Sequence, residues 1–159
     1  MTGRRFRFAH TWRVPASPGQ TSMSLADIDG YAAWWPQVRA VERDDADCGL
    51  VRIRSLAPIT LRLRLIREVE DPVARVLQVR VEGDLQGWAR WTVLDAPGGA
   101  RAAFAQEVEV TRPVLAAAAP WTRPALVANH AWMMRGGERG LAAHVRTAGL
   151  SGASPTVTA

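Results

Sequence analysis

Alternation of apolar and polar residues marks the first segment of the chain, residues 5–14. Every second position there carries a ring or an aliphatic side chain, and the positions between them are mostly arginine. A period of two is typical of a β-strand that buries one face. The face predicted to be buried consists of Phe6, Phe8, His10, Trp12 and Val14.

The same alternation returns six times between residues 38 and 110, in VRAVER, GLVRIRSL, TLRLRLIREVE, RVLQVRVEG, GWARWTVL and ARAAFAQEVEV. With the first strand, these stretches predict a single curved antiparallel sheet of seven strands that has one face in water. On the wet face, rows of Arg and Glu can pair across neighbouring strands, and Trp88 can stack on arginine. The inward face includes Leu63, Trp91, Phe104 and Gln106.

Two short helices are predicted between the first strand and the rest of the sheet. One covers residues 20–26, after the turn-forming PASPG, and the other covers residues 31–34 within DIDGYAAWWPQV. The second helix must end early, because a residue before proline avoids the helical region. We expect the rings of Trp34 and Trp35 to diverge where it ends.

The C-terminal third of the chain changes to a helical period and is rich in alanine. Pro120 and Pro124 are expected to interrupt it, so the long helix is predicted to begin at Pro124, since proline suits a first turn. Gly136, Gly137 and Gly140 weaken a helix, and we expect them to allow close approach to the sheet or to leave space beside it. The side predicted to be buried carries Leu126, His130, Met133, Met134, Gly137, Leu141, His144 and Val145, and the opposite side carries Arg135, Arg139 and Arg146.

Composition limits the classes of function. The chain of 159 residues is predicted to form one domain over residues 1–149, followed by a disordered tail at 150–159. No secretory leader or membrane-spanning run is visible, so the cytoplasm is the expected compartment. All 20 basic residues are arginine, which excludes a Schiff-base lysine and a Walker-type phosphate loop.

Metals, cofactors and nucleic acids are not expected partners. Cys48 is the one cysteine, so a Cys-cluster zinc site is excluded, and three histidines make a structural metal site a poor candidate. The net charge is +5, and the arginines are spread along the chain instead of gathered in a phosphate-tracking patch. The oligomeric state stays open.

The order of these elements, together with four stretches of sequence, resembles the helix-grip fold of the START/SRPBCC superfamily, in particular its polyketide cyclase/dehydrase-like branch. The stretches are TWRVPASP, LADIDGYAAWWPQV, GDLQGWARWTV and NHAWMMRGGERGL, and the resemblance spans residues 5–146. It implies an α+β fold in which a curved seven-stranded antiparallel sheet wraps around a long C-terminal helix, with two short helices after the first strand. It also implies a deep apolar cavity between sheet and helix, in which family members bind or transform lipids, polyketides and other hydrophobic molecules.

The inward faces themselves predict such a cavity, because they are mainly apolar with few polar groups among them. His10, Gln106 and His130 are the candidate catalytic residues, able to move protons or polarise carbonyls, and His144 is a further inward candidate. The alternative for each histidine is a core residue that binds a backbone carbonyl or water. The candidate ligand-binding residues are Trp12, Tyr31, Trp34, Trp35, Leu63, Trp91, Phe104, Leu126, Met133 and Met134.

The adjacent tryptophans are assigned different positions. One is expected to fill the core beneath the corner, and the other to stand with Tyr31 at the mouth of the cavity. The interpretation favours Trp35 as the ring that faces inward.

Three functions follow from this sequence. The first is binding of a hydrophobic small molecule, polyketide or lipid-like, in the cavity. The second, implied by the resemblance, is catalysis of its cyclisation or dehydration in secondary metabolism. The alternative is a non-catalytic carrier of a lipid or quinone, or a module that delivers it to membranes through the arginine-rich outer face.

Overall fold

A seven-stranded antiparallel sheet forms the largest part of the fold, which the computed structural model describes for residues 5–55 and 59–152. The strands are β1 (Arg5–Val14), β2 (Val38–Arg43), β3 (Cys48–Arg54), β4 (Thr60–Asp71), β5 (Val76–Gly83), β6 (Leu85–Ala96) and β7 (Gly99–Val110). Their order in the sheet is β1-β7-β6-β5-β4-β3-β2, and every neighbouring pair is antiparallel. The predicted sheet is confirmed.

The inward face of the sheet is the one that the alternation predicts. In β1, Phe6, Trp12 and Val14 are buried, while the arginines between them are exposed. Trp91 of β6 and Phe104 of β7 are register partners, and the centroids of their buried rings lie 4.8 Å apart. Because each such side chain contributes about 1.5–3 kcal/mol when it is fully buried, this face is the main hydrophobic core.

The outer face carries the predicted ion pairs. Arg7 of β1 lies opposite Glu107 of β7, with Nε 3.0 Å from Oε2. The guanidinium of Arg90 lies 5.9 Å from the ring centroid of Trp88, which confirms the expected stacking. Exposed pairs of this kind contribute roughly 0–1 kcal/mol each, so the rows add solubility more than stability.

The two short helices of the predicted corner are both present. They are α1 (Pro18–Ala26) and α2 (Tyr31–Trp34), separated by a single 3-10 turn. At the start of α1, the hydroxyl of Ser17 accepts from the backbone N–H of Gln20, and the Gln20 side chain accepts from the backbone N–H of Ser17. This reciprocal cap stabilises a segment of weak helix propensity.

The rings of Trp34 and Trp35 are stacked, with centroids 5.5 Å apart and planes inclined by 18°. Each side chain is only 6% exposed, so the expected divergence of the rings, and an exposed ring at the cavity mouth, are wrong. Trp35 has extended backbone angles (φ −101°, ψ 102°), so its side chain leaves the helical spacing and returns over Trp34. Trp12 and Tyr31 cover the pair.

The long C-terminal helix α3 runs without interruption from Pro113 to Gly152. The predicted start at Pro124 is therefore wrong. Pro113 already occupies the first helical turn, where proline needs no amide partner. Each interior proline removes one hydrogen bond, but helix formation is cooperative and the alanines at 116–119 have the highest helix propensity. The helix includes residues 150–152, and the rest of the predicted tail lies outside the described residues.

Glycines let α3 press directly on the aromatic corner. A Cβ at Gly137 would lie 2.6 Å from ring atoms of both Trp12 and Trp35, and a Cβ at Gly140 would overlap the backbone carbonyl of Trp34. The expected close approach is confirmed, and it involves the corner as much as the sheet. The sheet, the corner and α3 together form the helix-grip architecture.

A substitution at this contact is expected to destabilise the protein. Gly140→Ala should lower the free energy of unfolding by about 1–3 kcal/mol or more. The added methyl would meet the backbone of Trp34, which cannot move aside as a flexible side chain can. Gly149→Ala on the same helix is the matched control, since nothing lies within 4 Å of its added methyl, and it should raise stability by about 0.5–1 kcal/mol. Urea unfolding measures both. Equal effects would contradict the close contact.

Candidate functional site

A cavity of about 110 Å³ lies between the inward face of the sheet, the aromatic corner and α3. Tyr31, Trp35, Trp91 and Phe104 form the aromatic part of the wall. Strands β2 to β6 contribute aliphatic side chains to the rest of it. Pockets that hold drug-sized ligands usually measure about 300–1,000 Å³. A single ring or a slender chain therefore fits as the side chains stand, and a larger ligand requires the lining to move.

The structure brings most of the predicted ligand-binding residues to this cavity and leaves three elsewhere. Trp12 and Trp34 are packed in the core. Leu126 does not line the cavity and packs against a second cluster of buried residues, formed by Phe6, Leu63, Val81, Val108, Val110 and Ala116. Trp35 lines the cavity and Trp34 does not. The predicted residues that line it are Tyr31, Trp35, Leu63, Trp91, Phe104, Gln106, Met133 and Met134.

Sequence reasoning missed part of the lining. Leu25, Ala26 and Ile28 close one side from the corner, where the weak helix signal gave no face to assign. Alternation within the strands already points to the remaining aliphatic residues, but it does not say which strand positions border empty space. Those residues are Val38, Val51, Ile53, Leu65, Val69, Leu77, Val79, Val81 and Ala89.

Hydrogen bonds hold the aromatic wall in place. The indole N–H of Trp35 donates to the carbonyl of Met133 at 3.0 Å, which ties the corner to α3. The hydroxyl of Tyr31 donates to the carbonyl of Leu25 at 2.6 Å. Burial, and to a smaller extent the nearby Asp27, raise the pKa of Tyr31 well above its usual value. Tyr31 is therefore a neutral structural group at physiological pH.

A chain of three polar side chains leads from the side of α3 into the cavity. His10 Nε2 lies 3.1 Å from His130 Nδ1, and His130 Nε2 lies 3.0 Å from Gln106 Oε1. Phe8 stacks flat on the His130 ring, with centroids 3.7 Å apart and planes inclined by 6°. Of the three, Gln106 lines the cavity and the histidines stand behind it.

The hydrogen bonds assign the protons of this chain. An amide oxygen can only accept, so His130 Nε2 donates to Gln106, and His130 Nδ1 then accepts from His10 Nε2. Burial, followed by the neighbouring His10, lowers the pKa of His130 to about 3. Burial and then the positive charge of Arg135 lower the pKa of His10. Both rings are neutral near pH 7.

His144 does not join this chain. Its side chain is exposed at the surface of α3, and its ring centroid lies 6.5 Å from that of Trp34. The prediction that it faces inward is wrong. The helical period places His144 near the edge of the buried side of α3, and the aromatic corner occupies the space beneath it.

Charged groups reach the cavity at its mouth. Arg67 and Glu70 both line it and form an ion pair, with Nη1 2.6 Å from Oε2. Nothing in the local sequence marks this pair, although the alternation that turns Leu63 and Leu65 inward puts Arg67 on the same face. A register irregularity between Arg67 and Val69 then changes the facing of the strand.

No helix in residues 5–55 and 59–152 combines the length and hydrophobicity needed to cross a bilayer.

Comparison with known proteins places the chain in a family. Its sequence matches the family described as polyketide cyclase/dehydrase and lipid transport over residues 5–148, so the chain belongs to this family, within the START/SRPBCC superfamily. No curated protein sequence matches the chain.

Solved structures share the fold at low sequence identity. The Zhui aromatase/cyclase from Streptomyces sp. R1128 has a TM-score of 0.72 at 17% identity, covering 89% of this chain and 94% of its own. A START superfamily protein from Mycobacterium smegmatis has a TM-score of 0.66 at 13% identity, with coverages of 91% and 98%. The protein TTHA0849 from Thermus thermophilus has a TM-score of 0.68 at 18% identity, with coverages of 88% and 98%. These three structures share the helix-grip fold with this chain.

The neutral histidine pair makes stability depend on pH. Unfolded histidine titrates near pH 6.5, and folded His130 stays neutral down to about pH 3. As pH falls from 6.5, the unfolded state therefore takes up a proton that the folded state does not. The free energy of unfolding should fall by up to about 1.4 kcal/mol per pH unit for this site.

Urea unfolding between pH 7 and pH 4.5 measures that slope. His130→Gln should flatten it, because the titrating group is gone. His144→Gln replaces the exposed histidine of the same helix and should leave the slope unchanged. An unaltered slope in His130→Gln would contradict a neutral buried His130.

Proposed function

We propose that the protein binds a hydrophobic small molecule that carries a carbonyl group, with its apolar body in the cavity and its oxygen on Gln106. The observation that carries this proposal is the position of Gln106, a polar side chain on the wall of a mainly apolar cavity. Apolar concavities with a few convergent polar groups are the usual form of a ligand site.

The hydrogen bond from His130 determines which group of the Gln106 side chain can bind a ligand. Its oxygen is engaged by His130, so its amide NH₂ is the group that remains to donate to a ligand. Phe8 and His10 fix the ring of His130, which in turn fixes the amide. In this proposal Gln106 is the binding residue, and His130 and His10 are positioning residues.

The family and the cavity together support a polyketide or lipid-like ligand. One solved structure with this fold is described as an aromatase/cyclase, and the family description includes lipid transport. The cavity volume supports a ligand that places one ring or one slender chain inside the cavity. Met133 and Met134 line it, and flexible, polarizable thioethers adapt to different shapes.

Paired ligands test the anchor. In wild-type protein, 1-tetralone should bind more tightly than tetralin, because the two share a body and differ in the carbonyl. Gln106→Leu should lower the affinity for tetralone by about five- to tenfold, the value of one hydrogen bond, and leave tetralin nearly unchanged. Isothermal titration calorimetry measures all four constants.

Gln78→Leu is the control, since Gln78 lines the cavity but its amide is engaged by Glu68 and Arg90. It should not alter the preference for tetralone. Equal binding of tetralone and tetralin by the wild type would overturn the anchor. If neither tetralone nor tetralin bound, the cavity would be overturned as the ligand site.

Catalysis is the second candidate function, favoured by Glu70 at the mouth of the cavity. In an aldol cyclisation and dehydration, a base removes a proton from carbon, a new carbon–carbon bond forms, the carbonyl oxygen is protonated, and water leaves. The Glu70 carboxylate can take the carbon-bound proton, while Gln106 donates to the carbonyl oxygen. Neither histidine lines the cavity, so neither is assigned contact with the substrate.

A poly-β-ketone thioester separates an enzyme from a carrier. If the protein is a cyclase, mass spectrometry should detect a product lighter by one water per ring closed and dehydrated. Glu70→Gln should then lose most turnover while tetralone binding persists, and Ala89→Ile, which fills the cavity, should lose both. Binding without turnover in the wild type would assign a carrier. Full turnover in Glu70→Gln would contradict the role of Glu70.

Membrane delivery through the outer face has less support. Five arginines of that face, Arg5, Arg7, Arg52, Arg64 and Arg80, form ion pairs with nearby carboxylates, which reduces the charge available to anionic headgroups.

A further inference from the structure

A second concave surface lies on the side of α3 that faces away from the cavity. This groove, of about 530 Å³, is lined by Trp132, Arg135 and Arg139 of α3 and by Pro36 and Gln37 of the corner. It shares no lining residue with the cavity, whose contribution from α3 is Met133 and Met134. The groove is therefore a separate site, open to solvent.

The positive charge in the groove is not neutralised by the protein. Arg135 and Arg139 are exposed, and within the described residues neither guanidinium has an ion-pair or hydrogen-bond partner. Glu138 is the single acidic residue of Pro113–Gly152, and it is turned to the other side, where it accepts from the backbone N–H of Arg13. This contrasts with Arg5, Arg7, Arg52, Arg64 and Arg80 of the sheet, each of which forms an ion pair.

The two guanidinium groups are placed to act together. They are four residues apart on one helix, a spacing that puts their Cβ atoms about 5–6 Å from each other. Two forked donors at that spacing can close on one carboxylate or phosphate group, to which guanidinium binds in a bidentate manner.

The floor of the groove carries a buried polar group with unmet hydrogen-bonding capacity. Gln37 is only 5% exposed, and its side-chain oxygen has no partner among the described residues. Gly136 makes room for it, since a Cβ there would collide with the Gln37 amide. An unpaired buried carbonyl oxygen is costly, by about 1–3 kcal/mol, and a hydrogen-bond donor on a ligand in the groove would satisfy it.

One wall of the groove is a planar apolar surface. The indole of Trp132 is 38% exposed, which is unusual for so large a ring on a helix that buries its other apolar face. The ring of Pro36 lines the same groove. Tryptophan and arginine are the residues that most often carry binding energy at recognition sites.

We propose that this groove binds a planar ring compound bearing a phosphate or carboxylate, with the anion held by Arg135 and Arg139, the ring on Trp132, and a polar ring substituent on Gln37. The anion takes the unneutralised charge, and the flat ring matches the exposed indole. The ligand differs from that of the cavity, which is hydrophobic and meets a neutral amide.

Titration with 1-naphthyl phosphate, monitored by two-dimensional NMR of the tryptophan indole N–H signals, tests the proposal. Groove binding should move the Trp132 signal and leave those of Trp35 and Trp91, which report on the cavity. Inorganic phosphate should bind at least about tenfold more weakly than 1-naphthyl phosphate, because it lacks the ring. The affinity of 1-naphthoate, compared with that of 1-naphthyl phosphate, shows whether the groove prefers phosphate or carboxylate. The affinity of uncharged 1-naphthol shows how much the negative charge contributes to binding.

Arg135→Gln/Arg139→Gln should weaken the binding of 1-naphthyl phosphate about tenfold or more, and Trp132→Leu should remove its advantage over inorganic phosphate. Isothermal titration calorimetry measures these variants, because Trp132→Leu lacks the indole signal. Arg146→Gln, an exposed arginine on the same helix outside the groove, is the control and should bind as the wild type does. Any of three results would overturn the proposal: no shift of Trp132 at millimolar probe, equal loss in the Arg146→Gln control, or equal affinity for 1-naphthol. Shifts confined to Trp35 and Trp91 would assign the probe to the cavity and also count against the groove.

Discussion

The contact between the glycines of α3 and the aromatic corner is the constraint on which the structure depends. Gly137 and Gly140 bring the helix backbone against Trp12, Trp34 and Trp35 at distances that no side chain would permit. Aromatic pairs contribute about 0.5–1.5 kcal/mol each beyond their buried area, and several converge at this point. The hydrogen bond from the Trp35 indole to the helix then fixes rotation about the helix axis.

Once the rotation of α3 is fixed, the directions of its two remaining faces are fixed as well. One face directs Met133 and Met134 to the cavity and brings His130 beside His10. The other presents Arg135 and Arg139 to solvent beside the corner. A helix rotated by one residue position, about 100°, would bury charge and expose the methionines. The glycine contact therefore orients both the cavity and the groove, and Gly140 itself lines the groove.

The interior uses neutral polar groups where a charge would be costly. His10, His130 and Gln106 satisfy one another through a directed chain of hydrogen bonds, and burial keeps the rings unprotonated. Arg67 and Glu70 appear as an ion pair only at the mouth, where water reaches them. Because one fold can host many unrelated functions, this arrangement of polar groups, and not the fold, is what distinguishes the cavity of this protein.

The sequence by itself determined the strands, their buried faces, the short helix that ends at Trp34 and the family. Periodicity and proline chemistry act on neighbouring residues, and here they agree with the final packing. Only the tertiary structure decided that His10 and His130, 120 residues apart, share a hydrogen bond, that Trp35 and not Trp34 lines the cavity, and that Arg67 stands at its mouth. Those facts depend on which residues meet across the fold, and a local pattern specifies a direction without specifying the neighbour found there.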